Sequence, residues 1–108
     1  MTKILILSPS KSMLNSLGER LRFENFATAE ADTLSSAEEM CRTATFDAAI
    51  VDSDIELEEI ALPTIVVTRK ADVDSAVRAL RHGAIDYLST PIDMNRLLTS
   101  LRSLGDDT

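Results

Sequence analysis

Short apolar segments alternate with longer segments of helical periodicity along the whole chain. The apolar segments are almost continuous, which is typical of strands buried on both faces of a parallel sheet. The strands predicted in this way are Lys3 to Leu7, Phe26 to Glu30, Asp47 to Val51, Thr64 to Val67 and Ile85 to Leu88. Their alternation with helical segments predicts five βα units and an α/β fold.

Four of the intervening segments carry apolar residues at helical spacing. The helices are expected to begin at Ser10, at Ser35 with Glu38 as a capping box, at Asp72 and at Asp93, because these side chains can accept bonds from first-turn amides. Each apolar face is expected to pack on the sheet. The faces consist of Leu14, Leu17 and Leu21; of Leu34, Ala37 and Cys41; of Val73, Ala76, Val77 and Leu80; and of Met94, Leu97, Leu98 and Leu101.

The connection between the third and fourth strands is unusually short. Only about eleven residues separate Asp52 from Thr64, near the minimum for a crossover between parallel strands. A helix of several turns does not fit in that length. The sequence therefore predicts a third helix that is shortened or absent.

Length and charge limit the classes of function. A chain of 108 residues with 44% hydrophobic content can bury one core, so residues 1–104 are predicted to form one domain and 105–108 a tail or the start of a linker. The net charge of -7 argues against direct nucleic-acid binding. No apolar run is long enough to span a membrane, which predicts a cytoplasmic protein. The lone Cys41 is expected to be a small buried residue.

Three segments, in this order, resemble the CheY-like receiver domains of bacterial two-component response regulators. They are Phe46-Asp-Ala-Ala-Ile-Val-Asp52, Thr64-Ile-Val-Val-Thr68 and the segment from Ala71 to Pro91. The last is most similar to receivers of sigma-54-dependent, nitrogen-regulation-type activators. The resemblance implies a flavodoxin-like (βα)5 fold, a doubly wound parallel sheet with strand order 2-1-3-4-5. In such sheets, functional groups gather at the carboxyl ends of the strands.

The resemblance implies roles for three residues and shows that several other residues of the family's pocket are replaced in this chain. Asp52 matches the phosphoacceptor, Thr68 the switch hydroxyl and Tyr87 the switch aromatic residue. In the degenerate part of the pocket, Ser8, Pro9 and Ser10 stand where receivers carry their acidic pair, and Thr90 replaces a lysine. Arg69 stands where a small residue is usual, and a bidentate pair between Arg69 and Asp52 is expected. Asp54 and Lys70 are expected to pair at the pocket mouth; as an alternative, Lys70 partly replaces the missing lysine. The bond before Pro91 is expected to be cis.

Three functions follow as alternatives. The first is a regulatory domain of a transcription activator that acts through homodimer contacts, with Arg78, Arg81, Asp86, Arg96 and Arg102 on the dimer face and an impaired phosphorylation site. The second is an active acceptor that takes phosphate on Asp52 from a histidine kinase, with at most a weak Mg²⁺ site at Asp52 and Asp54. The third is an anion-binding flavodoxin-like domain that uses the serines of Ser8 to Ser12. None is an enzyme beyond self-phosphorylation. No cofactor, membrane or direct nucleic-acid partner is expected. An output domain is expected as a partner.

Overall fold

The computed structural model describes residues 2–52, 62–69, 73–81 and 84–105. The strands are β1 (Lys3–Leu7), β2 (Ala27–Ala31), β3 (Ala48–Asp52), β4 (Thr64–Thr68) and β5 (Ala84–Ser89). The helices among these residues are α1 (Lys11–Phe23), α2 (Leu34–Thr43), α3 (Val73–Arg81) and α4 (Met94–Gly105). The shortened third helix was predicted within 53–61, outside the described residues, so α3 here is the fourth helix of the sequence prediction.

The five strands form one parallel sheet in the order β2-β1-β3-β4-β5, which confirms the predicted fold class. Leu7 of β1 lies opposite Val51 of β3, and Asp52 lies opposite Val67 of β4. The carboxyl ends of β1, β3 and β4 therefore meet at one edge of the sheet, at the point where the chain order reverses. Functional side chains are expected at that edge.

The sheet separates two layers of apolar packing. On one face, Leu17 and Leu21 of α1 and Leu97 and Leu101 of α4 pack against alternate strand residues such as Ile50. On the other face, α2 contributes Ala37, and Val51 and Phe46 belong to the same cluster. Because alternate strand residues feed both layers, the central strands are apolar at nearly every position.

Of the four predicted helix starts, two are correct, one is wrong, and the one at Asp72 lies outside the described residues. Ser10 caps α1, since its hydroxyl accepts from the amide of Met13 at 3.3 Å, and Asp93 accepts from the amide of Arg96 at 3.2 Å. The cap of α2 is Thr33, whose hydroxyl accepts from Ser36 at 3.1 Å. Ser35 was the wrong prediction because Thr33, two residues earlier, already has the extended backbone that a cap requires.

The packing of α3 also differs from the prediction. Ala79 is buried and Ala76 is half-buried, whereas Val73, Val77 and Leu80 are exposed. Ala79 shares its cluster with Val66 and Ala84 of the sheet. The small alanine face allows the helix to lie close to the sheet, so the larger residues of the predicted face point elsewhere.

Cys41 is exposed, in contrast to its predicted burial. It lines a groove of about 540 Å³ between α2 and the sheet, together with Leu5, Leu34, Phe46 and Leu62. Helix α2 buries only Ala37, one turn earlier, which leaves Cys41 at the rim of the groove. Within the residues that the structure describes, no helix is long and apolar enough to cross a membrane.

Candidate functional site

Asp52 lies at the carboxyl end of β3 and is almost fully buried. Its Oδ2 atom accepts a hydrogen bond of 2.9 Å from the hydroxyl of Ser8, which is fully buried at the end of β1. The parallel register places the residues that follow Leu7 and Val51 side by side, which is why these two meet. A buried carboxylate needs such donors, because burying it without partners is costly.

Ser8 is held in place by two further contacts. Its hydroxyl accepts a hydrogen bond of 3.0 Å from the amide of Ser10, and its own amide donates to the carbonyl of Ala31 at 3.0 Å. The hydroxyl thus uses its proton on Asp52 and a lone pair on Ser10. From the sequence, Ser8 was expected to be a lost acid or part of an anion site, and not a partner of Asp52. A hydroxyl residue at the end of the strand beside the acceptor strand was the signal that could have shown its role.

Thr68 and Thr90 complete the edge beside Asp52. Thr68 is buried at the end of β4, one residue beyond the position opposite Asp52. The amide of Thr90 donates to the carbonyl of Thr68 at 2.8 Å, which ties the end of β5 to that of β4. The bond between Thr90 and Pro91 is cis, as predicted. We call the group Ser8, Asp52, Thr68 and Thr90 the acceptor pocket.

Tyr87, the predicted switch aromatic residue, lies in β5 and is half-buried. Its ring packs on the cluster of Val66, Ala79 and Ala84. Its hydroxyl is buried, and no described residue is its hydrogen-bond partner. The switch role of Thr68 and Tyr87 remains a prediction.

Arg69 lies at the surface, and the bidentate pair predicted between Arg69 and Asp52 is wrong. No ion pair between described residues includes Arg69. Its side chain is exposed and lines a cavity of about 520 Å³ with Ser10, Met13 and Thr90. A guanidinium that stays in water avoids the desolvation cost of a buried pair. Asp54 and Lys70, predicted to pair at the pocket mouth, lie outside the described residues.

Among the described residues, the side chains of the acceptor pocket do not fit a divalent cation; Asp54, the second residue of the predicted weak Mg²⁺ site, lies outside them. Mg²⁺ prefers an octahedral shell of oxygen ligands, in which carboxylates are the usual protein contribution. In this pocket Asp52 is the single carboxylate, and Ser8 directs its proton toward it. In the described part of the chain, no group of three or more acidic, histidine or cysteine side chains could hold a metal ion.

Of the residues predicted on a dimer face, Asp86 and Arg96 bind each other within the chain. The guanidinium of Arg96 donates to Asp86 through Nε at 3.0 Å and through Nη2 at 2.6 Å. Burial raises the pKa of Asp86, but the hydrogen bonds from Arg96 and from the amide of Tyr87 outweigh it, so the pKa lies below its ordinary value. The pair fixes β5 to α4.

A second internal ion pair uses Arg102. Its Nη2 atom lies 3.0 Å from Glu24 Oε2, which joins α4 to the end of α1. Arg78 and Arg81 lie exposed on α3, and no ion pair between described residues includes them. The predicted face therefore divides into charges paired inside the chain and two arginines at the surface.

The chain belongs to the response regulator receiver domain family, whose model matches residues 4–102. The family is a class of regulatory domains of two-component systems. The chain is 33% identical to the transcriptional regulatory protein ZraR of Klebsiella oxytoca over 91% of its own length, and spans 25% of that relative. It is 25% identical to the transcriptional regulatory protein CutR of Streptomyces coelicolor over 98% of its length, and spans 54% of it.

Two solved structures show the same architecture. A two-component response regulator from Clostridium difficile superposes with a TM-score of 0.89 over 99% of this chain and 98% of that one, at 19% identity. The beryllofluoride-activated NtrC4 receiver domain dimer superposes with a TM-score of 0.85 over 96% of each chain, at 25% identity. These matches confirm the flavodoxin-like receiver fold.

Proposed function

We propose that this domain regulates a cytoplasmic transcription activator of the sigma-54-dependent kind through contacts between two copies of the chain, and that its phosphorylation site is impaired. The curated relatives are transcriptional regulators, although the chain spans only a quarter of the length of ZraR. The observation that carries the proposal is a set of exposed apolar side chains on α3 and β5.

Four of the five large apolar side chains exposed in the described residues lie on these two elements. Val73, Val77 and Leu80 are 77%, 43% and 54% exposed, and Ile85 of β5 is 44% exposed. The three residues of α3 are spaced four and three positions apart, so they share one side of the helix. We call these four residues the apolar stripe. Single exposed apolar residues are ordinary, but a continuous patch marks an interaction surface.

A second copy of the chain is the occupant that best fits the apolar stripe. The NtrC4 receiver, similar over 96% of this chain, forms a dimer in its beryllofluoride-activated state. Arg78 and Arg81 border the stripe on α3, and a chain with a net charge of -7 offers acidic surface to them. Asp86 is already paired with Arg96, and Arg102 with Glu24. We therefore expect the burial of apolar side chains to provide the main free energy of the contact between two copies.

Impaired phosphorylation is supported by the composition of the acceptor pocket. Phosphoryl transfer depends on positioning and charge compensation, chiefly by metal ions and a cationic side chain. Ser8 and Pro9 bring no carboxylate for a metal, and Thr90 brings no charge. The described residues of the acceptor pocket therefore contribute little to stabilise a developing phosphoryl charge on Asp52.

The retained acceptor geometry favours a second candidate function. Asp52 and Thr68 end neighbouring strands, both are buried, and they lie within one residue of each other in register. An active receiver would take phosphate on Asp52 from a histidine kinase and bond the phosphoryl group with Thr68. The anion-binding alternative finds less support, because Ser8 and Ser10 already bond within the chain.

Light scattering across a concentration series tests the proposed function. The wild-type domain is expected to shift from monomer to dimer as concentration rises. Val77→Asp places a charge in the apolar stripe and is expected to keep the domain monomeric, because a buried unpaired charge is costly. Phe23→Asp is the matched control: Phe23 is 80% exposed at the end of α1, away from the stripe, and its replacement is expected to leave dimerisation unchanged.

Two results would contradict the proposal. One is a wild-type domain that stays monomeric at the highest attainable concentration. The other is an equal loss of dimer in Val77→Asp and Phe23→Asp, which would place the contact away from the apolar stripe.

A further inference from the structure

Ser8 lies where a receiver would carry its acidic pair, and its hydroxyl makes two hydrogen bonds. It is fully buried, its hydroxyl donates to Asp52 at 2.9 Å, and the same oxygen accepts from the amide of Ser10 at 3.0 Å. Ser10 in turn begins α1 by capping it. One hydroxyl therefore links the ends of β1 and β3 to the first turn of α1.

We infer that Ser8 is a positioning residue that takes the place of the divalent cation: its hydrogen bond, and not a metal ion, orients Asp52. This inference rests on the impaired phosphorylation in the proposed function and is independent of dimerisation. It explains why a buried acid persists in a pocket that does not fit Mg²⁺. With Asp52 oriented in this way, the local structure around Asp52 is expected to stay the same when divalent cations are added.

The electrostatics of the pocket support this role. A metal site at Asp52 would need further oxygen ligands turned toward the same point, preferably anionic ones. The Ser8 hydroxyl presents a hydrogen atom toward Asp52, and its oxygen already accepts from Ser10. The Ser8 hydroxyl thus supplies Asp52 with a hydrogen-bond donor, where a metal site would need an oxygen lone pair turned toward the ion.

Replacing Ser8 by aspartate is expected to reverse the response to cations. Two carboxylates would then share a buried site and repel each other, which lowers the melting temperature in the absence of a divalent cation. MgCl₂ would relieve the repulsion and raise the melting temperature saturably, because a ligand that binds the folded state stabilises it. The wild-type melting temperature is expected to be the same in MgCl₂ and in NaCl of matched ionic strength.

Ser12→Asp is the control for added charge. Ser12 is exposed in the first turn of α1, so this variant adds the same charge near the site without touching Asp52. Its melting temperature is expected to be as insensitive to Mg²⁺ as that of the wild type. An equal response of Ser8→Asp and Ser12→Asp, or a saturable Mg²⁺ response of the wild type, would overturn the inference.

A double-mutant cycle provides a second test if Ser8→Asp does not fold. Ser8→Ala and Asp52→Ala each remove one partner of the bond and are each expected to lower the urea midpoint. The double variant is expected to lose less than the sum of the two, because the shared bond is lost only once. Additive losses would contradict a bond between the two side chains.

The outcomes separate this inference from the proposed function. A wild-type domain that binds Mg²⁺ but not beryllofluoride would overturn the role of Ser8 and leave the impaired acceptor standing. A domain that fails to dimerise, yet gains its Mg²⁺ response only in Ser8→Asp, would overturn the dimer proposal and leave Ser8 as inferred.

Discussion

The acceptor pocket and the apolar stripe make opposite use of their side chains. In the acceptor pocket, Ser8 satisfies the buried Asp52 and ties together the ends of two strands. In the apolar stripe, Val73 and Leu80 stay largely in solvent although the sheet lies close by. Buried polar groups need partners inside the fold, whereas exposed apolar groups gain by meeting another surface. At the carboxyl edge of the sheet, the buried hydroxyl of Ser8 thus has a partner inside the fold. The apolar side chains of α3 remain in solvent and are available to contact another protein surface.

Substitutions of two leucines sharpen this comparison and carry the largest expected effect. Leu97 of α4 is fully buried, so Leu97→Ala is expected to lower the free energy of unfolding by about 2–5 kcal/mol. Leu80→Ala is expected to lower it by less than about 1 kcal/mol, because Leu80 packs little in the monomer. Urea unfolding at a protein concentration below dimerisation measures both. Equal losses would mean that Leu80 belongs to the core.

Tyr87 lies between the two regions and gives an intermediate effect. Its buried hydroxyl has no described hydrogen-bond partner, so Tyr87→Phe removes an uncompensated desolvation cost. We expect the free energy of unfolding to stay the same or to rise by up to about 1 kcal/mol. Tyr87→Ala, which also removes the ring from its cluster, is expected to lower it by about 2 kcal/mol or more. A clear loss in Tyr87→Phe would reveal a partner for the hydroxyl.

The ion pair that fixes β5 to α4 gives the smallest effect, and it depends on pH. The pKa of Asp86 is lowered in the folded state, so its contribution to stability is present above the unfolded value of about 3.9 and is lost as the pH falls through the folded value. Arg96→Gln is expected to lower the free energy of unfolding only slightly at pH 7, since the Arg96 side chain is exposed and its ion pair is screened by water. Urea unfolding at several pH values should show this cost vanish in acid.

Arg42→Gln is the control for that measurement. Arg42 lies exposed on α2, and no ion pair between described residues includes it. Its removal changes the net charge equally without breaking a pair. A cost for Arg96→Gln that persists in acid, or that Arg42→Gln matches, would show that the Asp86 pair does not link β5 to α4 energetically.

The sequence predicted the fold and the positions of Asp52 and Thr68 at strand ends because buried parallel strands have a simple signature. Near-continuous apolar segments defined the strands, and the end of each strand located a site residue. The bond between Ser8 and Asp52 was missed although the predicted strand order makes the ends of β1 and β3 neighbours, because the sequence does not show which way a hydroxyl side chain turns. The exposure of Val73 and Val77 was missed because periodicity marks an apolar face without saying whether a smaller face, here alanine, packs closer to the sheet.

The positions of charged side chains were the least predictable. Arg69 was expected to turn inward to Asp52, but its place depends on the balance between hydration and a buried contact, which spacing does not reveal. Asp86 and Arg96 are ten positions apart in the chain, and only the packing of α4 on β5 brings them together. A long flexible side chain can reach several partners, so the ion pair that it forms depends on its neighbours in the folded structure.

The proposed impairment of the acceptor is tested most directly by amide NMR of the wild-type domain during titration with beryllofluoride and Mg²⁺. The account predicts no saturable shift at Ser8, Asp52, Thr68 or Tyr87, because the acceptor pocket lacks the charges that would hold a phosphoryl analogue. Saturable shifts at these residues, accompanied by a change in the dimer fraction, would contradict it and establish an active phosphoacceptor.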